Sequence, residues 1–468
     1  MSESALYEFF TAMSAWQLRR ARTWVSVSGE GSNDRLLLLF DYLVQCAGKG
    51  KLPDFDAAIR CMWNKGGGSL PQLRRDMSDL SNIMRNFLIW QETNSLPGHK
   101  EWLLVRAIRK LGLEKNYQLA VREAEATINH PQNQGIDKFL WSFRLGHEQF
   151  QWEVNRKRDQ ELSVESLLAE MDAWYAGQSL QLACLVQSQK NVRNQNRMIS
   201  PHLNELLALM PEKPHERIPS IAIYHQGHRM LAEPENETHV EIYKTMLAHQ
   251  VETGPPAEMR DLLTLAINHG IRRINAGERT AIRQTLGFYL LGLEKKLLHD
   301  EGGKLSKFTY NNVLMTFLAL EEWEQAKAFL EKYRVELYAK EQENIYQYNL
   351  AIYHFRRNEY DAALELLRDV TLPDPMYKLE SRKMLLKIYY EQEATIALES
   401  LLENMLVWLR RHSELGYHRE MYRNLARFTT QLLRLPPNAP EERKRLKKKV
   451  LETQLVAERA WLLEKIGS

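Results

Sequence analysis

Three alanines in the second half of this 468-residue chain, Ala326, Ala363 and Ala397, recur 37 and 34 residues apart in one local frame of apolar positions. With each taken as the small residue of a second helix, an apolar first-helix position falls on Val313, Leu350 and Met384. A second-helix apolar position falls on Leu330, Leu367 and Leu401. A small residue lets two helices approach closely, while the paired apolar positions fill the seam between them and their neighbour. The periodicity therefore predicts helical hairpins stacked one on the next. A chain built this way escapes the size limit on a single hydrophobic core.

The rest of the chain keeps the same rhythm. Apolar residues recur at helical spacing almost throughout, without sustained strand-like alternation, and roughly twenty helices are expected. The 22 glycines and 16 prolines are few for this length, as long helices with short connections require. Breaks fall at Gly29 to Asn33, Gly48 to Gly50, Gly66 to Ser69, Pro211 to Pro214, Gly254 to Pro256, Gly302-Gly303 and Pro436 to Pro440. The last, with three prolines, reads as a joint before a terminal helix of about 25 residues. Between Phe139 and Val154 one stripe runs Phe139, Phe143, Phe150, Val154 and another Trp141, Leu145, Trp152, which predicts apolar contacts on two faces. Pro219 to Ala232 with Glu237 to Val251, and Pro256 to His269 with Glu278 to His299, read as further hairpins. The fold class that follows is all-α, with antiparallel helical hairpins stacked as an α-solenoid. The expected organisation is an N-terminal helical domain (1–130), connecting long helices (131–200), a helical-repeat solenoid (201–435) clearest at 307–411, and a terminal capping helix (436–468).

The middle copy reads Tyr348-Asn-Leu-Ala-Ile-Tyr-His-Phe-Arg-Arg-Asn-Glu-Tyr-Asp-Ala-Ala-Leu364. Over about 307–411 the chain thereby resembles the tetratricopeptide repeat family. It departs from that pattern at Gln347, where a bulky aromatic is usual, at His354, its aromatic partner, and at Ala394, where the second copy has Tyr360. The whole chain is also similar to a group of bacterial helical-repeat proteins through Asn268-His-Gly-Ile-Arg-Arg-Ile-Asn-Ala-Gly-Glu278 and Leu385-Leu-Lys-Ile-Tyr-Tyr-Glu391, which implies an architecture and no mechanism. In this register the inward first-helix face carries Asn311, Asn312 and Met315, then Tyr348, Asn349, Ile352 and Arg356, then Arg382, Lys383, Leu386 and Tyr390. The tetratricopeptide resemblance implies that Asn312 and Asn349 bond the backbone of an extended peptide, while Arg356, Arg382 and Lys383 favour acidic groups. Polar lining of a solvated groove is the alternative.

Net charge is +3, yet Arg443, Lys444, Arg445, Lys447, Lys448 and Lys449 crowd six cations into seven residues, leaving 57 basic against 60 acidic residues elsewhere. Attraction to nucleic acid or an anionic membrane across the whole surface is thus not supported. The cluster is either a solvated helix face or a local surface for an acidic protein or a nucleic-acid backbone. The run Leu36 to Phe40 is far short of the roughly 20 apolar residues that span a bilayer. No secretory leader is legible in Met1 to Phe10, so a cytoplasmic location is the expectation. Cys46, Cys61 and Cys184 are widely separated, which argues against disulfides and a zinc site.

Motifs that carry chemistry are sparse. His225-Gln-Gly-His228 spaces two imidazoles three apart on a helix but has no local third ligand. Gly146-His-Glu-Gln-Phe150 lacks the second histidine of a zinc-protease helix. Gly66-Gly-Gly-Ser69 has Lys65 before its glycines, where a phosphate loop needs lysine after them. No catalytic residues, metal site or cofactor are expected. The helices Leu36 to Cys46, Phe55 to Trp63 and Leu70 to Trp90 resemble the winged-helix part of bacterial activators that also carry tetratricopeptide repeats, with Gln72, Arg74, Arg75 and Ser78 toward DNA. Against this, no hairpin wing follows Trp90, and Asp76 and Asp79 would meet phosphates unfavourably. The expectation is a non-catalytic adaptor binding an acidic protein or peptide in the repeat groove; the alternative is a DNA-binding regulator with a sensor region of repeats.

Overall fold

The computed structural model describes residues 5–28, 33–63, 67–154, 156, 164–193, 203–209, 218–300, 302–370, 374–436 and 439–467. The expected turns at Gly29 to Ser32 and Pro211 to Pro214 lie outside them, as do Gly66 and, in the three-proline joint, Pro437 and Asn438. Among the described residues the fold is all-α and forms no strand; Leu305 makes isolated bridges to His299 and Leu337.

The helices are α1 (Ala5–Ala12), α2 (Ala15–Ser28), α3 (Asn33–Gly48), α4 (Phe55–Met62), α5 (Leu70–Ser95), α6 (His99–Leu111), α7 (Glu114–Ile128), α8 (Asp137–Val154), α9 (Glu165–Arg193), α10 (Leu203–Leu209), α11 (Pro219–Ala232) and α12 (Glu237–Gln250). They continue as α13 (Pro256–Asn275), α14 (Thr280–Glu294), α15 (Lys307–Ala319), α16 (Trp323–Tyr333), α17 (Gln342–Arg356), α18 (Tyr360–Asp369), α19 (Pro375–Glu391), α20 (Thr395–Arg411), α21 (Tyr417–Leu433), α22 (Pro440–Glu452) and α23 (Arg459–Gly467). Two compact units result: Met1–Ala183 with Met198–His225 and Glu252–Pro255, and Cys184–Arg197 with Gln226–Val251 and Pro256–Ser468. The division falls inside the continuous helices α9 and α11.

In the first unit, α3 and α5 bury Leu39, Phe40, Leu43, Leu73, Leu80, Met84 and Phe87 in one core. Helix α5 starts where Ser69 and Gln72 cap each other reciprocally, with Pro71 in the first turn, which satisfies amides that a helix start leaves open. Helix α8 packs on α6 and α7 and buries Trp141, Leu145 and Trp152. Its second predicted stripe is only half-covered at Phe139, Phe143 and Phe150 and exposed at Val154, so one face carries the packing.

In the second unit, consecutive helices pair as α13 with α14, α15 with α16, α17 with α18 and α19 with α20, while α17 also packs on α15 and α19. Three of these hairpins turn on a left-handed residue that is not glycine: Glu321 (φ 58°), Asn358 (φ 60°) and Glu393 (φ 56°). The next amide bonds back five residues, Glu322 to Phe317 O (3.1 Å), Glu359 to His354 O (3.0 Å) and Ala394 to Tyr389 O (2.9 Å), closing each first helix with the same cap. These turns lie 37 and 35 residues apart. The first helices lengthen from 13 to 15 to 17 residues, so their starts lie closer together than their turns.

The turns correct the expected register in the third copy. Leu398, not Ala397, follows its turn at the distance of Ala326 and Ala363, and all three are buried whereas Ala397 is exposed. Leu402 likewise takes the buried place expected of Leu401. One residue along a helix rotates a side chain by about 100°, enough to carry it from seam to solvent. The terminal helix is also corrected. It breaks into α22 and α23, and the connecting backbone is held by Asn424 Nδ2 donating to Leu455 O (2.8 Å), Ala457 N to Met421 O (3.2 Å) and Arg459 to Gln454 O (2.7 Å). Polar groups released by the break thus find partners on α21 and α23.

Candidate functional site

Eleven residues before each left-handed turn stand Tyr310, Gln347 and Arg382. Tyr310 is buried and donates to Leu330 O at 2.7 Å, sealing the first hairpin. Arg382 lays its guanidinium 4.4 Å from the Trp408 ring centroid, and burial lowers its pKa. Gln347 is too small to do either. The second hairpin keeps an open cavity of about 380 Å³ lined by Gln347, Leu350, His354, Ala362, Glu365 and Leu366. The departure from the aromatic pattern is therefore visible as missing volume. His354 is held there by an Nδ1 contact with Glu359 at 2.6 Å.

The residues expected to line a peptide groove do not converge on one open surface. Asn349 has no exposed area: its amide nitrogen donates to Ile345 O (2.7 Å) and its oxygen accepts from Asn311 Nδ2 (3.0 Å). Both polar ends of this side chain are used within the chain. Asn312 is exposed beside the buried Tyr289 hydroxyl, with which it hydrogen-bonds. Tyr348 is buried edge-on against Tyr377, ring centroids 5.0 Å apart, and burial pushes its hydroxyl pKa well up. Arg356 is exposed.

At the third copy the inward face is covered by the chain's own end. Lys383 pairs with Glu380 (2.5 Å) and Glu458 (3.3 Å), and Lys387 pairs with Glu458 at 2.8 Å. Burial opposes charge on Lys383, but the two carboxylates outweigh it and raise its pKa. Tyr390 meets Trp461 edge-on at 5.2 Å, and Lys465 reaches Glu391 at 2.8 Å. Of the cations expected to attract an acidic partner at this end, Lys383 is thus already paired with Glu458, while Arg382 lies over Trp408.

Two basic surfaces remain. Helix α22 buries Leu446 and Val450, four residues apart, and turns Lys444, Arg445, Lys447, Lys448 and Lys449 outward; Arg443 is half-buried and donates to Ile466 O at 3.2 Å. Lys444 and Lys448 lie 3.7 Å from Glu441 and Glu452, whereas Arg445, Lys447 and Lys449 make no ion pair among the described residues. Because α22 ends at Glu452, Lys447 to Lys449 fall in its last turns, where cations suit the helix dipole. The second surface was missed from sequence. A cavity of about 520 Å³ is lined by Leu406, Leu409 and Arg410 of α20 and by Arg419, Arg423 and Arg427 of α21. Arginines at i, i+4 and i+8 within Tyr417–Leu433 were the available signal, since that spacing stripes one helix face.

Other candidates resolve locally. His225 is buried and His228 half-buried, and no cluster of three metal-ligating side chains occurs among the described residues. Glu148 is buried with its carboxylate 2.5 Å from Arg109. In α5, Gln72, Arg74, Arg75 and Ser78 are exposed, but Gln72 serves the helix cap and Asp76 turns inward, 3.8 Å from Arg35. Helix α5 runs to Ser95 and α6 begins at His99, so these helices follow one another with no wing between. No helix among the described residues is long and apolar enough to cross a membrane. Comparison with protein-family models, curated proteins and solved structures finds no match.

Proposed function

We propose that this chain is a non-catalytic cytoplasmic scaffold whose C-terminal half is an α-solenoid of tetratricopeptide-like hairpins that binds an acidic segment of a partner protein. The observation that supports this reading is the hairpin cap repeated at Glu321, Asn358 and Glu393, which orders successive helix pairs in series. Arrays of that kind offer extended surface without requiring a catalytic cleft. The preference for acidic partners rests on the outward face of α22, where Arg445, Lys447 and Lys449 lack in-chain counter-charges among the described residues. In this reading the contact surface moves from the inward face of α19, which α23 covers, to α22 and the open seam beside Gln347.

Proximity labelling in the native host tests it, comparing the unaltered chain with a Lys447→Glu, Lys449→Glu variant. The expected result is a set of labelled proteins sharing acidic segments that is lost on charge reversal. Labelling indistinguishable from that of an unrelated protein of similar charge would remove the scaffold reading. Labelling unchanged by the reversal would remove α22 as the contact surface.

A further inference from the structure

We infer that the cavity between α20 and α21 is a binding site for a small phosphorylated anion carrying two or more phosphoryl charges. Four guanidinium groups, Arg410, Arg419, Arg423 and Arg427, line one cavity of about 520 Å³. Their only ion pair among the described residues is Arg423 with Glu420. Arg410, Arg419 and Arg427 have no carboxylate partner there, and Arg423 Nε is buried without a hydrogen-bond acceptor.

Such an arrangement has a physical cost. Like charges sharing a concave space repel, and a buried guanidinium N–H without an acceptor loses its hydration. Filling the space with an anion reverses both effects. Arginine suits phosphoryl oxygens because its planar fork donates two parallel hydrogen bonds; Arg419 and Arg427 present such forks from one helix, Arg423 between them has Nη2 on Glu420 and Nε without an acceptor, and Arg410 lines the cavity from another helix. The cavity volume lies in the range of small-molecule sites. Leu406 and Leu409 supply an apolar wall, so the site suits a phosphorylated molecule with an organic body better than a bare ion.

The inference does not rest on the scaffold reading and fails separately from it. Tripolyphosphate is titrated calorimetrically into the full-length chain at fixed ionic strength, with sulfate as the control anion. Saturable one-to-one binding is expected, with sulfate at least about tenfold weaker because it presents a single anionic group. The Arg419→Gln, Arg427→Gln variant and, on the opposite helix, Arg410→Gln should each weaken tripolyphosphate binding at least about tenfold. Lys447→Gln with Lys449→Gln on α22 should leave it unchanged. Circular dichroism identifies a variant that fails to fold, and Arg410→Gln then carries the test alone. No saturable binding, or binding that follows the α22 lysines and not the arginines, overturns the site.

Discussion

Asn311 donates its side-chain amide to the oxygen of Asn349 at 3.0 Å, joining the first helix of one hairpin to the first helix of the next. The pair acts as an interlock: a buried polar group with both ends satisfied favours one pairing of helices over a slipped one. Asn349→Ala should therefore destabilise the second unit by about 1–3 kcal/mol. Limited proteolysis and thermal denaturation would read it. Loss of partner binding at unchanged stability would instead restore the peptide-contact role.

Among the described glycines, Gly270 leaves the least room for a side chain. A Cβ there would sit 2.0 Å from Thr285 Oγ1, a hydroxyl that is itself buried and donates to Ala281 O at 2.6 Å. Gly270→Ala should cost about 1–3 kcal/mol through overpacking. Adding Thr285→Ala should recover only part of the loss in melting temperature, because Thr285 Cβ is also within 3.1 Å. Full recovery, or no initial loss, would show that α13 and α14 separate more easily than their packing implies.

His269 is 2% exposed, and burial, reinforced by the cations of Arg272 and Arg273, lowers its imidazole from 6.5 to about 4. The unfolded chain therefore binds this proton first. The stability gained by keeping the ring neutral is complete above about pH 6.5 and is lost as pH falls from there toward 4, amounting to about 3 kcal/mol. His269→Gln should flatten that part of the stability profile. Parallel melting curves for the two chains between pH 7 and 4.5 would contradict the assignment.

Glu458 answers to both Lys383 and Lys387. Desolvation raises its pKa, but the two ammonium groups outweigh that effect and hold the carboxyl below its usual range. Its contribution is therefore present above the ordinary carboxylate pKa and is lost as pH falls through the lowered value. Glu458→Gln should speed amide exchange in α23 at least about tenfold at neutral pH. Exchange that stays unchanged would mean that Trp461, Leu462 and Ile466 hold this helix without the ion pairs.

Much of this was legible before any coordinates. Apolar period and turn composition placed α11 and α12 within one residue of where they form, and the starts of α13 and α14 within two, because those segments have amphipathic faces and clear breaks. The register of the third hairpin was misread because a small residue, Ala397, stood beside the true seam position Leu398, and only the left-handed turn at Glu393 sets the frame. The burial of Asn349 was not legible because its neighbour Asn311 lies 38 positions away, a relation no local pattern records. The terminal break between α22 and α23 was missed for a similar reason: Asn424, which supports it, belongs to another helix. The arginine cavity needed two helices, and only one of them carries the recurring spacing.

The seating of α23 against α19 also shields part of that helix. Trp461 lies edge-on to Tyr390, and Glu458, just before α23, pairs with Lys387, so this segment covers aromatic and cationic side chains of α19. A variant truncated before Glu458 would lay Lys383, Lys387 and Tyr390 open. An uncovered aromatic and cationic patch of that kind invites unintended association with other molecules.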